Sequence, residues 1–544
     1  MRKASGTRVG GASVNTAATV DALVVGAGPV GLTMAAELTR HGLRCRLIDK
    51  SAARTDKSKA LVVWPRTLEL LDGAGAVEPF LAAGMRVVRA TIHGNGERLA
   101  QLTLDAIASP YPYALMLAQS ETERLLEEEL GRLGGAVERQ VELLDFRVTG
   151  DTVAARLRGA DGSDESVQSA WLIGCDGAHS TVRHELGMDF AGDAIATDWI
   201  LADVHLDGPL PPDELRIDWH AQGILAFFPI APGRFRVIAD SGTAVGERAH
   251  DPTLAEVQAV VDVRGPAGVR AHDPIWLAGF RINERKVAEY RAGRVFLAGD
   301  AAHIHSPAGG QGMNTGMQDA FNLAWKLALV HRGRGRADVL LDTYSRERSA
   351  VGDEVLRNAG AMTRVATLRQ PTAQHVRNAL LPVFASFGFV QTKMRQTLTE
   401  LSIHYRQSSL SRDERRLSAR TRARAGGVVA GDRAPDVALS DARSGAATTL
   451  FTLRRSPRHC LLLCVGESRS GDGREGLEAI AAAVQAAYPE LIDVFVAAAS
   501  DALRQRYGVS APTGVLIRPD GYIGYYGQPI ESERLLAYLS SYLV

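Results

Sequence analysis

Four cysteines in 544 residues (Cys45, Cys175, Cys460 and Cys464) are too few and too scattered for a disulfide framework, and point to a reducing compartment. No run of about 18 uninterrupted apolar residues occurs, so the sequence offers nothing to span a bilayer. Net charge is missing as well: 62 Lys and Arg balance 62 Asp and Glu, leaving no global field to recruit nucleic acid or an anionic membrane. The opening stretch MRKASGTRVGGASVNTAATV is basic but has no continuous apolar segment. It does not read as a secretory signal, and a cytoplasmic protein is expected. A redox dithiol is also lacking. Cys460 and Cys464 stand as C-x-x-x-C inside the apolar run HCLLLCVG, away from any helix start that would activate a thiol. His303 and His305 have no third partner nearby in sequence, so no metal site is expected. The arginine-rich stretch RDERRLSARTRAR at 412–424 has no aromatic residues among its cations and reads as a solvated connector rather than a nucleic-acid arm.

The length suggests three or so structural units, at about 150 residues each. Residues 21–50 carry the first strong pattern: a short apolar strand (DALVV), glycines at Gly26, Gly28 and Gly31, an Ala-rich helical stretch, a second strand (RCRLI), then Asp49. In a βαβ context Gly26 permits the tight turn, Gly28 lets the backbone approach a pyrophosphate, and Gly31 allows close helix–strand packing. The helix N-terminus, opened by Pro29 and Val30, supplies free N–H groups for the phosphates. Asp49 can accept from both hydroxyls of an unphosphorylated ribose. AQSETERLLEEEL predicts a helix starting at Ser120, with Glu123 closing a capping box. The stretches at 85–104 and 199–240 alternate like strands, and a long helix is expected from Gly312 to His331.

Two further stretches carry a resemblance: WLIGCDGAHSTVR at 171–183, and GRVFLAGDAAHIHSPAGGQGMNTGMQDAFNLAWKLAL at 293–329. With the glycine fingerprint before them, they stand in the order and spacing found in single-component FAD-dependent aromatic hydroxylases. That group includes para-hydroxybenzoate hydroxylase and phenol 2-hydroxylase. The chain is most similar to the branch that hydroxylates polyketides and carries a thioredoxin-like C-terminal domain. The resemblance implies an α/β fold: a Rossmann-like FAD-binding domain with an inserted, mainly antiparallel substrate sheet, plus the thioredoxin-like domain. The expected layout is a flexible tail at 1–20, an FAD-binding domain from 21–84, 116–186 and 285–365, and a substrate sheet from 85–115 and 187–284. A helical connector at 366–428 and the thioredoxin-like domain at 429–544 complete it.

Carried over by position, the resemblance implies that Asp49 binds the adenosine ribose of FAD, with Lys50 beside it. Lys59 stands where the family usually has arginine, keeping the charge without the bidentate fork. Gln119 falls near the ribityl chain, and Asp176 in a motif tied to both flavin and nicotinamide cofactor. Gly299 and Asp300 would hold a ribityl hydroxyl. Pro307 and the backbone of Gly310, Gly312, Met313 and Asn314 would line the flavin ring, where a helix N-terminus favours the charge a reduced flavin gains. Phe227, Phe228 and Pro229 are expected at an apolar substrate pocket, with at least one phenylalanine turned into the core because strand side chains alternate.

The implied activity is that of a monooxygenase in antibiotic biosynthesis. It would use NADPH or NADH and O2 to hydroxylate an aromatic small molecule through a flavin C4a-hydroperoxide. No residue's context singles out a catalytic base. Baeyer–Villiger and epoxidising chemistry on the same fold stay open, as does a homodimer. A halogenase is disfavoured because no W-x-W-x-I-P stretch is present. Loss of residues 429–544 is expected to affect solubility or assembly before flavin chemistry.

Overall fold

β1 (Ala18–Val25) is apolar and almost wholly buried from Ala22 onward, the signature of a strand covered on both faces of a parallel sheet. This computed structural model describes residues 18–94, 96–244, 246, 249–415, 427–466 and 472–544. β1 is the centre of a parallel run ordered Val295–Leu297, Asp164–Gly174, β1, β2 (Cys45–Asp49) and Val137–Arg139. The hairpin Glu142–Thr149 and Thr152–Arg158 joins the early half of Asp164–Gly174 antiparallel. β1 begins earlier than the apolar run DALVV suggests, because Ala18, Thr19 and Val20 find partners in Val167, Gln168 and Ser169. The rest of the expected N-terminal tail, 1–17, lies outside the described residues.

α1 (Pro29–Arg40) connects β1 to β2 and packs beside the long helix Gly312–His331. The next helix departs from expectation. It runs Gln119–Arg132 with Ala118 at its N-cap and no side-chain cap. Ser120 is therefore not a cap. Glu123 instead accepts from the Gln119 amide at 2.9 Å, which removes it from the capping role.

The inserted sheet has eight strands and is antiparallel apart from the pairing of Glu214–His220 with Arg89–Gly94. Its longest members, Ala191–Asp207 and Arg270–Lys286, pair over most of their length. At the C-terminal end a five-stranded sheet is ordered Arg412–Arg415, Ile523–Gln528, Thr513–Ile517, His459–Cys464 and Ile492–Ala497. Its first strand corrects the connector reading in part: Arg412–Arg415 runs parallel to Ile523–Gln528, with Arg415 buried over the Tyr526 ring. Residues 416–426 lie outside the described residues. Among the described residues no helix is long and apolar enough to cross a membrane.

Cys460 and Cys464 sit within the fully buried strand His459–Cys464, and burial pushes both thiols up to about 12. Neither is a thiolate at neutral pH, so neither is a nucleophile. Replacing both with alanine is expected to leave turnover near that of the parent. The cost should be about 1–2 kcal/mol of stability from two small cavities, read as a lower melting temperature. Loss of turnover in a folded, FAD-loaded double variant would put the thiols in the reaction.

Candidate active site

At the end of β1 the chain turns at Gly26 (φ +98), where a Cβ would lie 2.5 Å from the Cys175 carbonyl oxygen. A Cβ on Gly31 would lie 1.8 Å from the Gly26 oxygen, so both positions are glycine for reasons internal to the chain. Gly28 is different. Its backbone is extended (φ −75), and a Cβ there would meet nothing within 4 Å. No atom of the described residues requires glycine at that point. A bound group that must lie against the backbone would require it.

Gly28 is also the N-cap of α1, and no side chain caps the helix. The uncapped N–H groups and the positive end of the helix dipole therefore face open space. Asp49 stands beside them, accepting from Ala27 N at 2.6 Å and Ser51 N at 2.7 Å. A cavity of about 240 Å³ brings Gly26, Gly28, Asp49, Lys50, Asp176 and His179 together. One oxygen of Asp176 accepts from Val182 N at 3.2 Å, while the other is buried without a partner among the described residues. Burial raises this carboxyl above its usual range against its own hydrogen bonds. An uncapped helix start, open space over a glycine, a carboxylate and a lysine form a donor and acceptor set that fits a dinucleotide.

Gly299 (φ +59) and Asp300 occupy a single 3₁₀ turn, and Val30 of α1 fills the space a Gly299 Cβ would need. Gly316 abuts the same Val30, so close packing of two glycines fixes this turn against α1. Asp300 is exposed and accepts no hydrogen bond from the described residues. The surrounding protein raises its carboxyl, with His303 and Lys59 opposing. Lys59 is exposed and near enough for its charge to act on Asp300.

Other expected residues turn out to be ties within the chain. Gln119 accepts from Ala60 N at 3.0 Å and donates to Glu123. Asn314 is buried, accepts from Trp64 N at 2.8 Å, and donates to Val62 O at 2.8 Å and Gly310 O at 3.1 Å. Its side chain thus stitches segment 62–64 to the start of the Gly312–His331 helix. Trp64 Nε1 adds a bond to Gly309 O at 2.9 Å. Gly309 (φ +90) and Gly310 (φ +63) are both left-handed, Pro307 is exposed, and Met313 packs on the edge of the main core. Gln311, the N-cap, sends its amide to Thr397 O, so no side chain caps this helix either. His303 is buried and bonded to Asp319 at 2.9 Å. His305 is held neutral by burial, at about 4, with Nδ1 against Ser306 O.

The inserted sheet meets this loop from the other side. In Gly223–Ala231 the alternation separates the expected trio. Phe227 is 1% exposed and packs with Val257 and Val261 of the helix Leu254–Arg264. Pro229, two residues on, is buried on the same side by the period of the strand. Of the trio only Phe228 turns the other way, joining Leu61, Val62, Trp64, Met116 and Leu215 in one apolar cluster. A pocket reading for Phe227 and Pro229 is thereby corrected. Gly310 borders that cluster through Val62 and Trp64. Buried Arg236 ties the two parts together, bonding Asp203 at 2.7 Å within the sheet and Lys59 O at 2.6 Å across it.

Trp64, Asp319 and Arg348 were invisible to motif reading. Their partners lie far away in sequence (Trp64 to Gly309 spans 245 residues), so no local spacing announces them.

Known proteins agree with this geometry. The profile of the FAD binding domain family matches residues 19–359, and that of the aromatic-ring hydroxylase C-terminal family matches 428–543. The 6-methylpretetramide 4-monooxygenase of Streptomyces rimosus is 38% identical over 538 residues, covering 95% of this chain and 93% of its own. The solved anhydrotetracycline hydroxylase OxyS from Streptomyces rimosus superposes with a TM-score of 0.76 at 29% identity, covering 96% of this chain and 99% of that one. A ternary complex of aklavinone-11 hydroxylase with FAD and aklavinone gives a TM-score of 0.76 at 27% identity, covering 96% and 98%.

Proposed function

Because the chain belongs to the family of FAD-dependent aromatic-ring monooxygenases, we propose that it hydroxylates a multi-ring phenolic substrate of polyketide type, using NADPH or NADH and O2. The observation that carries this reading is the single apolar surface shared by the inserted sheet and the glycine loop. Phe228 from one and Trp64 beside the other belong to the same cluster. The relatives act on 6-methylpretetramide, anhydrotetracycline and aklavinone, and these supply the substrate class.

The proposed cofactor residues follow from the geometry. Gly28 and the start of α1 would take the pyrophosphate, Asp49 the adenosine ribose, and Asp300 the ribityl chain, with Lys50 and Asp176 at the rim of the same cavity. When bound, FAD supplies two-electron redox chemistry and transfer of one atom of dioxygen. The rest falls to the chain. The uncapped start of the Gly312–His331 helix presents N–H groups to negative charge. Asn314 and Trp64 hold that loop to segment 62–64, so the donors need no rearrangement when charge develops. The apolar cluster around Phe228 excludes water from the face where a substrate ring would lie. No side chain is assigned as nucleophile or base. Four unpaired cysteines support a cytoplasmic setting.

The test is a panel of multi-ring phenols offered to FAD-loaded enzyme with NADPH under isotopically labelled dioxygen. Expected are substrate-stimulated NADPH consumption and a product carrying one labelled oxygen, unchanged by added chloride or bromide. Oxygen derived from water, or a halogenated product, would sink the assignment.

A further inference from the structure

Arg348, on the helix Ala337–Ala366, is completely buried and makes three directed bonds. Nε donates to Asp319 Oδ1 at 2.5 Å, Nη2 to the Thr315 carbonyl at 2.9 Å, and Nη1 to the Tyr405 hydroxyl at 2.8 Å. Two of these bonds go to one helix, Gly312–His331, and the third goes to Tyr405. The far oxygen of Asp319 accepts from Gly299 N and His303 Nε2, both at 2.9 Å, so this carboxylate anchors the turn that presents Asp300. Thr315 lies in the first turn of the same helix that carries Asp319. Tyr405 packs against Tyr522 of the C-terminal domain with ring centroids 4.2 Å apart and ring planes tilted by 41°, and the Arg518 guanidinium sits 5.3 Å from the Tyr405 ring.

We infer that Arg348 is a positioning residue that, by orienting the Asp319 carboxylate, holds the Asp300 turn in fixed relation to the Gly312–His331 helix, and that the C-terminal domain holds Arg348 in place. Of its three partners only the Asp319 carboxylate reaches the Gly299–Ala301 turn, so Arg348 acts on that turn through the carboxylate it orients, while its bond to Thr315 grips the same helix one turn earlier. A planar fork with several donors can hold three acceptors at set angles, which a lysine ammonium on a flexible stem cannot. The C-terminal domain is thereby part of the architecture of the cofactor site, although it contributes no residue to it. The inference rests on the FAD reading, but its first readout does not involve flavin.

Arg348→Lys in the full-length holoenzyme separates positioning from mere packing. Expected are faster hydrogen exchange at the Gly299 amide, an altered visible circular dichroism of bound flavin, and an FAD dissociation constant raised about 10-fold or more, with far-UV dichroism unchanged. A lower melting temperature with Gly299 protection, flavin dichroism and FAD affinity all unchanged would overturn the inference. If Arg348→Lys does not fold, Tyr405→Phe decides, since it removes only the hydroxyl that orients the guanidinium. It should shift the same three readouts in the same direction, and no shift would overturn the proposal. Loss of Gly299 protection in a protein that never binds FAD would support the positioning role while refuting the cofactor assignment.

Discussion

Replacing Gly28 with alanine is expected to give a folded protein that does not retain FAD. The added Cβ meets no protein atom within 4 Å, and the extended backbone at φ −75 suits any residue. Because Gly28 is already an N-cap without a side-chain bond, the cost to the fold should be below about 1 kcal/mol, a melting shift of a few degrees. The same methyl projects into the space over the helix start where the pyrophosphate is assigned. Pushing the pyrophosphate off the backbone N–H groups should weaken FAD by two orders of magnitude or more, on the order of 3 kcal/mol. Gly31→Ala is the opposite case. Its Cβ would lie 1.8 Å from the Gly26 oxygen, so α1 must move off the sheet and the fold itself is expected to fail. Fluorescence titration of FAD, run beside thermal unfolding of the apoprotein, distinguishes the two. A Gly28→Ala variant that binds FAD as the parent does would refute the placement of the pyrophosphate.

That contrast also marks how far the sequence could be read. The βαβ unit, Asp49 and the Gly312–His331 helix are local patterns with a period, a turn and a terminus, and each was legible residue by residue. The inserted sheet was legible as alternation, and the alternation itself warned that Phe227 and Phe228 point opposite ways. Which of them faces the glycine loop needed the packing of the helix Leu254–Arg264 against one side. The capping box at Ser120 misled because Gln119 is pulled into service by Ala60 N, a partner 59 residues away, and takes Glu123 with it. Asp319 and Arg348 gave no signal at all. A buried ion pair is written in the sequence as two charged letters on otherwise ordinary helices.

The sequence leads to the expectation that loss of the C-terminal domain affects solubility or assembly before flavin chemistry, and the structure shows which contacts such a loss would expose. Trp325 and Leu340 of the preceding helices share one core with Leu461, Leu463, Leu516 and Tyr538. Across the same interface the Arg518 guanidinium binds both oxygens of Glu347, at 2.7 and 2.8 Å, and both oxygens of Asp520. Glu347 in turn accepts from Lys326 and Asn322, and Arg66 reaches the Asp520 carbonyl at 2.9 Å. Deleting residues 429–544 is therefore expected to leave an aggregating, FAD-free product rather than a working core.

A single substitution tests the charge network without stripping the apolar cover. Burial alone would raise the Glu347 carboxyl, but Arg518 and then Lys326 outweigh it and hold it well below the usual carboxylate range. Burial also lowers the Lys326 ammonium to about 8. Arg518→Met removes one positive charge from a balanced set of two cations and two carboxylates, leaving a buried carboxylate uncompensated. The expected loss is about 3–5 kcal/mol in denaturant unfolding. Adding Asp520→Asn restores neutrality, so the double variant should be more stable than the sum of the single effects predicts, by about 1–2 kcal/mol. The pH dependence gives a second check. A carboxylate with a depressed folded value contributes stability above its unfolded value near 4.5 and loses it as the pH falls toward the folded value, at up to about 1.4 kcal/mol per pH unit. Without Arg518 that depression shrinks, so the acid limb of the stability curve should flatten. Additive losses and an unchanged acid limb would mean that these charges merely coexist in the interface, and that the apolar cluster alone joins the domain to the rest of the enzyme.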